Sequence, residues 1–531
     1  MAKRILILGA GVMQGPLIRC AKAMGLDTIV VDADRYAPMA ELATWFFPID
    51  LKDKEKIASL ARGIAQKGGL SGVVTAGTDF SASAAFVAEK LGLPGCGYEA
   101  ALRASDKEKM RRCFRDAGLP SPDFVVAGEA PKKSAIPFAY PLVIKPVDNM
   151  GARGCRRVDT DAELKTAVNK ALEFSRSKRV IIESYMEGPE FSLDAIVYQG
   201  GVTICGFADR HIYFPPYFVE MGHTMPSNLE QSQQDEIINV FIRGIRALGI
   251  KNGAAKGDLK LTLNGPMIGE IAARLSGGYM SGWTYPYASG ADPSQAAICI
   301  ALGLPPQGLR TSRAWTSAER AFLSIPGAVR RLQGIDEAKA VPYVKDIFVR
   351  AAPGLEMSFP ENNISKGGNI ISCAPDREAA VNAAETGARK LLIQLEAPHP
   401  LTRAFLAAKK NTFPPSAYSL DRARQNALKK IPETNMAGAE KHLKPDELSR
   451  RNARLEHARI YPLPALLESD LRGDYCGRGV LESLDAVRDL LGLSLPLGTE
   501  PPFLGRSFWS ALVRGGYQGA CYYAECTALG R

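Results

Sequence analysis

The 531 residues read as an α/β and α+β multidomain chain. Three observations carry that expectation. The length exceeds what one hydrophobic core organises, at roughly 100 to 200 residues per domain. Short apolar strands alternate with helical patterns over about the first 400 residues, starting with a β-α-β unit from Lys3 to Asp32. Beyond that point the pattern gives way to a basic, mostly helical extension. A hydrophobic share of 46% and a charged share of 23% are those of a globular protein. No apolar run is long enough to span a bilayer, and Met1-Ala-Lys-Arg-Ile leads straight into a strand, so a cytoplasmic protein without membrane partners is expected. Ten cysteines, scattered from Cys20 to Cys526 without a Cys-x-x-Cys pair, read as reduced and mostly buried thiols. The net charge of +10 suits acidic ligands but names none.

Lys3 to Leu8 is an apolar strand, followed by the glycine loop Gly9-Ala-Gly-Val-Met-Gln-Gly15, a helical pattern through Gly25, and a second strand from Asp27 to Asp32. Gly9, Gly11 and Gly15 resemble a dinucleotide fingerprint with Asp32 at the ribose-binding place, but Gln14 stands where the third glycine belongs. A turn that merely feeds a strand into a helix explains the loop as well. Gly72 to Thr75 is a further strand, with Thr78-Asp79 at its carboxyl end, where ligands gather in open α/β sheets.

From Ser105 the pattern changes. Ser105 is expected to cap a helix with Glu108 in its first turn, stopping at Gly118. Tyr140 to Pro146 is a strand that carries Lys145, and Asn149-Met-Gly-Ala-Arg-Gly154 is a flexible loop containing a cation. A lysine on a strand beside a loop with unencumbered backbone N–H groups is what polyphosphate binding requires. In the next apolar strand, Val180 to Met186, and the segment that follows it, Glu183 and Glu190 either face a purine and a ribose or lie at solvent-facing edges. His211 and His223 are more often structural than catalytic in such isolation.

Gly253 to Trp283 then places two carboxylates and an arginine on one β-hairpin. A three-residue loop at Asn264 to Pro266 sets Asp258 opposite Ala272, with Glu270 a diagonal neighbour on the same face and Arg274 two residues beyond Ala272. A two-residue turn would put Glu270 on the other side. Paired carboxylates suit a hard divalent cation; a charged hairpin edge is the plainer alternative.

With Lys107, Lys145, the 149–154 loop, Glu183, Glu190, Asp258, Glu270 and Arg274 in this order, the chain resembles the ATP-grasp superfamily, most of all its carboxylate-amine ligase and carbamoyl-phosphate-synthase-like branches. The resemblance covers about residues 1 to 400. It implies a pre-grasp α/β domain over 1–104 and a two-subdomain ATP-grasp over 105–310, with its lid at about 120–190. A closing α+β domain over 311–400 and a C-terminal extension over 401–531 complete the division. It implies ATP and Mg²⁺, with Mn²⁺ as an alternative, and small-molecule carboxylate and amine substrates. Lys107 and Lys145 would contact the phosphates, and Met150, Gly151, Arg153 and Gly154 would form the lid. Glu183 and Met186 would form the adenine hinge, Glu190 would reach the ribose, and Asp258 and Glu270 would hold the metal. Arg274, with Lys145, would stabilise the transferring phosphoryl group. The family's Glu-x-Asn-x-Arg is here Glu270-Ile-Ala272-Ala-Arg274, so a water or Asp258 is expected to complete a second metal's coordination.

The implied reaction phosphorylates a carboxylate to an acyl phosphate, which an amine attacks. Carboxyphosphate chemistry and nucleotide binding without turnover are the other readings. The segment Leu275 to Trp283 and the loop at Thr78-Asp79 are expected to contact substrate. Thr311 to Glu396 should form short strands and a helix over Ala379 to Gln394. Between Leu401 and Ile460 stand thirteen Lys or Arg against six Asp or Glu, including Lys409-Lys410, Lys429-Lys430 and Arg450-Arg451. Such a run is ordinarily a solvated helical face; nucleic acid is disfavoured as a partner, and docking or homo-oligomer formation stays open. Pro-rich breaks at 462–464 and 496–502 precede a glycine- and aromatic-rich tail.

Overall fold

Four parallel strands open the chain: β1 (Arg4–Leu8), β2 (Asp27–Asp32), β3 (Trp45–Pro48) and β4 (Gly72–Thr75), hydrogen-bonded in the order β3-β2-β1-β4. The apolar run of β1 has a simple cause. Ile5 and Ile7 pack with Leu17, Ile18 and Ile298 on one side, while Leu6 and Leu8 pack with Ile57 and Val87 on the other. A parallel sheet covered on both faces demands such a run. In the loop after β1, Gln14 closes the space that a third fingerprint glycine would leave. Its Oε1 accepts from the Gly11 N–H at 2.8 Å, and its amide donates to the Ala76 carbonyl. Asp32 turns both oxygens to its own neighbourhood, accepting from the N–H groups of Ala10 at 2.8 Å and Asp34 at 3.0 Å. The loop therefore reads as a turn feeding the helix Gly15–Ala23.

This computed structural model describes residues 3–408, 413–433, 473–492 and 504–528. The chain divides into two units, Met1–Glu319 with Cys373–Val381, and Arg320–Ser372 with Asn382–Arg531.

In the first unit, β5 (Phe124–Ala127), β6 (Leu142–Pro146), β7 (Arg156–Val158) and β8 (Val180–Ser184) form an antiparallel sheet in the order β5-β8-β6-β7. The helix Asp161–Phe174 covers it, burying Leu164, Val168 and Ala171 against Leu142, Ile144 and Ile182. A larger antiparallel array follows: β9 (Glu190–Tyr198), β10 (Gly201–Tyr213), β11 (Val219–Met225), β12 (Gly253–Thr262) and β13 (Gly265–Ala272), in the order β13-β12-β9-β10-β11. One face is apolar. Phe191, Leu193, Leu259, Ile268 and Ile271 pack there against Met110 and Phe114 of the helix Lys107–Asp116 and Phe241 and Ile245 of the helix Gln231–Leu248. The alternate residues of the same strands are polar and make the candidate site.

Ser105 does not cap the helix that begins at Lys107. It ends a preceding helix, Tyr98–Ser105, and its hydroxyl donates to Ala101 O at 2.7 Å. Asp106 is the cap, its carboxylate accepting from the N–H groups of Glu108 at 2.9 Å and Lys109 at 3.1 Å.

The helix expected to run to Gln394 is Arg377–Lys390 as a continuous element, and in the second unit Leu392–Leu395 is a strand. The apolar Leu-Leu-Ile-Gln-Leu segment is wholly buried and pairs with Gly327–Gln333, which outweighs its helical spacing. The basic stretch contains the helices Pro400–Ala407 and Arg422–Lys430, with Lys429 and Lys430 in the last turn of the second. Lys409-Lys410, Arg450-Arg451 and both Pro-rich breaks lie outside the described residues. The tail is largely helical, Arg506–Ala528 with non-helical backbone at Gly516, and Phe508, Trp509, Leu512 and Ala520 pack with Tyr418, Leu484 and Val487.

All ten cysteines carry free thiols, five of them buried and five partly so. No described helix is long and apolar enough to cross a membrane.

Close packing of the first sheet generates a test. A Cβ on Gly72 would stand 2.5 Å from the carbonyl oxygen of Ala301 at the end of the helix Pro293–Ala301. Gly72→Ala should cost about 1–3 kcal/mol of stability, the scale of an overpacked core. A lowered urea midpoint with an unchanged far-ultraviolet spectrum is the expected result.

Candidate functional site

The β12–β13 hairpin turns at Leu263 and Asn264, with Thr262 paired to Gly265. This is a two-residue turn, shorter than expected, and taken alone it would send Glu270 to the apolar face. A β-bulge restores the parity. The register shifts between Asp258 and Leu259, so Leu259 faces Ile268 while Asp258 faces Glu270 directly, and Ala272 lies opposite Lys256 instead of Asp258. The bulge also explains how Ile268 and Ile271, three apart, both reach the apolar core. Gly269 is the residue that allows it, because a Cβ there would stand 2.9 Å from the Asp258 carbonyl oxygen.

Across β9, β12 and β13 the polar face is then built in rows. Ser192, Asp258 and Glu270 are register partners in one; Asp194, Lys256 and Ala272 are partners in the next. Glu190 pairs with Lys260 on one side and Arg210 of β10 on the other. Arg210 is the hub of this face. Its guanidinium meets Glu190, Asp258 Oδ1 at 3.0 Å and Glu220 Oε2 at 2.6 Å. Burial pushes the Arg210 pKa down, but Asp258, Glu220 and Glu190 more than offset it and hold the group charged. Asp258 also receives the Ser192 hydroxyl at 2.6 Å and the Lys256 ammonium. Burial raises its pKa, and Arg210 and Lys256 outweigh that and hold the carboxyl well below the usual range.

The expected cations converge from other elements. Lys107 places Nζ 3.4 Å from Glu270 Oε2 and donates to the Asn149 carbonyl at 2.6 Å, which joins this face to the 149–154 loop. Within that loop Gly151 and Gly154 have φ near +68°, and Arg153 Nε donates to Met150 O at 3.0 Å. Arg153 also approaches Asp79 at 3.9 Å, beside the ion pair of Asp79 with Arg176. Lys145 Nζ is 2.7 Å from Glu183 Oε2. Glu183 does not lie at a solvent-facing edge: its other oxygen is 2.8 Å from Arg111 Nε, and both Arg111 and Glu183 are buried. Burial raises the Glu183 pKa, yet Arg111 and Lys145 together bring it below the ordinary carboxylate value. Glu183 thus anchors Lys145. Arg111 reaches further, its Nη2 donating to the Gly269 carbonyl at 2.6 Å and so holding the bulge. Glu190 is likewise drawn inward, to Arg210 and to Lys260 Nζ at 3.7 Å, while Lys260 also donates to Met186 O at 3.2 Å.

Arg274 is buried and donates to Leu275 O at 3.1 Å. The segment after it is bound by Asp194, which accepts from the hydroxyls of Ser276, at 2.8 Å, and Ser281. On the far side of Arg210 a second cluster is present. His223 Nδ1 lies 3.3 Å from Glu319 Oε2 and 3.8 Å from Glu220 Oε1, and its Nε2 is 2.8 Å from the Thr284 hydroxyl. These are the only three potential ligand residues among the described ones whose donor atoms all lie within 4.8 Å of one another.

Arg111, Arg210, Lys256, Glu220 and Glu319 were not expected from sequence. Lys256 had a readable signal, since it stands two residues from Asp258 and therefore on the same strand face. Arg210 had one too, as a charge on the polar side of a long strand. Arg111 had none beyond its place in an amphipathic helix.

Asp258 and Glu270 face each other across adjacent strands and carry hard oxygens of the kind a divalent cation takes, and both Asp258 oxygens are engaged here, Oδ1 by Ser192 and Arg210 and Oδ2 by Lys256.

Residues 138–282 match the model of the ATP-grasp domain, residues 18–95 the ATP-grasp N-terminal domain, and residues 321–396 the L-amino acid ligase C-terminal domain 2. Among curated proteins, carnosine synthase 1 of Gallus gallus is 26% identical over 57% of this chain and 36% of its own. Alanine–anticapsin ligase of Bacillus subtilis is 26% identical over 47% of this chain and 59% of its own. The chain thus spans about one third to three fifths of the length of these two relatives. The crystal structure of L-amino acid ligase from Bacillus licheniformis shares the fold at a TM-score of 0.65 and 22% identity, covering 74% of this chain and 99% of that one.

The buried ion pair gives a pH-dependent expectation. Glu183→Gln leaves Arg111 and Lys145 without their carboxylate and should cost about 3–5 kcal/mol near neutral pH. Because the Glu183 pKa is depressed in the fold, its contribution is present above the unfolded value of about 4.3 and lost as pH falls below that. Urea titrations at several pH values should therefore show the gap between wild type and variant narrowing below about pH 4.

Proposed function

We infer, from the matches of this chain to the ATP-grasp domain models, that it is an ATP-dependent ligase which activates a carboxylate as an acyl phosphate and joins it to an amine, releasing ADP and phosphate. The observation that carries the reading is the polar face on which Asp258 and Glu270 stand opposed, with Lys107 at Glu270 and a buried Arg274 four residues further along the chain.

A carboxylate is a poor electrophile, and phosphoryl transfer asks the protein for positioning and for neutralisation of oxygen charge. Lys107 and Lys145 bind the phosphates, and Arg274 faces the charge that develops on the transferring group. Asp258 and Glu270 would hold Mg²⁺, or Mn²⁺ in its place, which when bound draws charge from the phosphate oxygens. The 149–154 loop, joined to this face by the Lys107 contact with Asn149, closes over the triphosphate and excludes water. Met186 and Glu190 lie on the path of the adenosine, and Glu183 acts by fixing Lys145.

Amino acids are the substrate class we favour. Glu220 and Glu319, with His223 between them, form a second acidic cluster beside Arg210. Gly278 borders it: a Cβ there would lie 3.7 Å from Glu220 Oε1, with no other heavy atom within 4 Å beyond its immediate chain neighbours. The match to the L-amino acid ligase C-terminal domain 2 supports the same class. A cytoplasmic setting is part of the same reading.

With MgATP and pooled amino acids, ADP and phosphate should appear together with a new amide detectable by mass spectrometry. Glu270→Gln and Arg274→Ala should each lower turnover about 100-fold or more, the scale on which a preorganised electrostatic partner acts. Near-normal turnover in both variants would sink the assignment. ATP hydrolysis driven by bicarbonate, with no amine consumed, would replace it with carboxyphosphate chemistry.

A further inference from the structure

Ala272 cannot ligate a metal, and the sheet shows what stands opposite it. Lys256 is its register partner, and Asp194 is the partner of Lys256 on the other side. The Lys256 ammonium is ion-paired with Asp258, two residues on along the same face. It carries donors only, so it must be surrounded by acceptors. Asp258 supplies one. In the same row Asp194 presents a buried Oδ1 with no hydrogen-bond partner. The short Ala272 side chain meanwhile leaves the lysine its room without offering an oxygen.

We propose that the Lys256 ammonium occupies the place beside Asp258 that a second divalent cation would take. The site then admits one divalent ion with its nucleotide, and Lys256 is the positioning residue that fixes Asp258 and supplies the second centre of positive charge. Three features of the row agree. An ammonium against Asp258 repels a dication from the same oxygen. An alanine opposite the lysine removes the side chain that would otherwise compete for the space. The Asp258 carboxylate is ion-paired with the ammonium, and Asp194 stands across the strand as the register partner of Lys256. The water or Asp258 ligation expected from the sequence for a second metal is replaced by a residue of the chain itself. The inference rests on the ATP reading above.

The test counts ions instead of turnover. The full chain is equilibrated with excess Mn²⁺ and β,γ-methylene-ATP, and bound Mn²⁺ and bound nucleotide are measured by dialysis and electron paramagnetic resonance. Wild type and Lys256→Arg should hold roughly one Mn²⁺ per bound nucleotide, whereas the double variant Lys256→Ala, Ala272→Asn should hold roughly two. Two ions in the wild type overturn the inference and leave the ATP reading standing, as does a double variant that binds nucleotide yet keeps one. A wild type that binds no nucleotide at all overturns both. The wild-type count needs no substitution, so a double variant that fails to fold leaves the proposal open to refutation.

Discussion

Arg111 is the side chain on which the geometry of the site depends. It is wholly buried, and one guanidinium ties two sheets together by pairing with Glu183 of β8 and donating to the Gly269 carbonyl of β13. The planar fork matters, since a lysine ammonium cannot present two such donors in fixed directions. Its Nη1 has no hydrogen-bond partner, a loss on the order of 1–3 kcal/mol that the fold tolerates. In return the arginine holds both ends of a relay: Glu183 fixes Lys145, and the bulge at Gly269 turns Glu270 towards Asp258.

The bulge is the step that no pattern of alternation reveals. A two-residue turn followed by regular pairing would give Asp258 and Glu270 opposite faces, and a longer turn would have given Asp258 and Ala272 the same row. The actual chain takes the shorter turn and corrects the parity within the strand, where Gly269 can approach the opposing backbone. What the sequence shows well are features set by composition and order: the parallel opening sheet, the succession of lysines, the acids of the hairpin, and Arg274 beyond them. What it shows poorly depends on pairing across distant segments. Arg111 and Gly269 are 158 residues apart, and nothing local to either announces the contact. Lys256 and Arg210 are intermediate, because strand parity places them on the polar face but only the register shows which carboxylates they meet. The Leu392–Leu395 strand failed for a related reason, since its burial among distant partners overrode helical spacing.

The polar face is also close to electrically balanced. Arg210, Lys256, Lys260, Lys107 and Arg274 stand among Glu190, Glu220, Asp258, Glu270 and Asp194, so five cations meet five carboxylates if every one is ionised. Burial raises the Asp194 pKa against the hydrogen bonds of its two serines and the charges of Lys256 and Arg274, which leaves a margin of at most about one charge. Such a face has no static surplus with which to attract a polyanion. On the proposed reading, a triphosphate would displace existing pairs, and the pairs best placed for exchange are those in which one cation already bridges two groups. Lys107 is one, held between Glu270 and the loop carbonyl of Asn149.

That balance sets the role of the divalent ion and of Lys256 together. On the proposed reading, a dication between Asp258 and Glu270 would supply the positive excess that the face lacks, and among the described residues Glu270 has a single ion pair, the 3.4 Å contact with Lys107. Asp258 is different, being held on several sides by Arg210, Ser192 and Lys256. Glu270 is therefore the carboxylate free to move onto an incoming ion, and Asp258 the one that defines where it stops. On the proposal made above, Lys256 would fix that stopping point from the row it shares with Ala272.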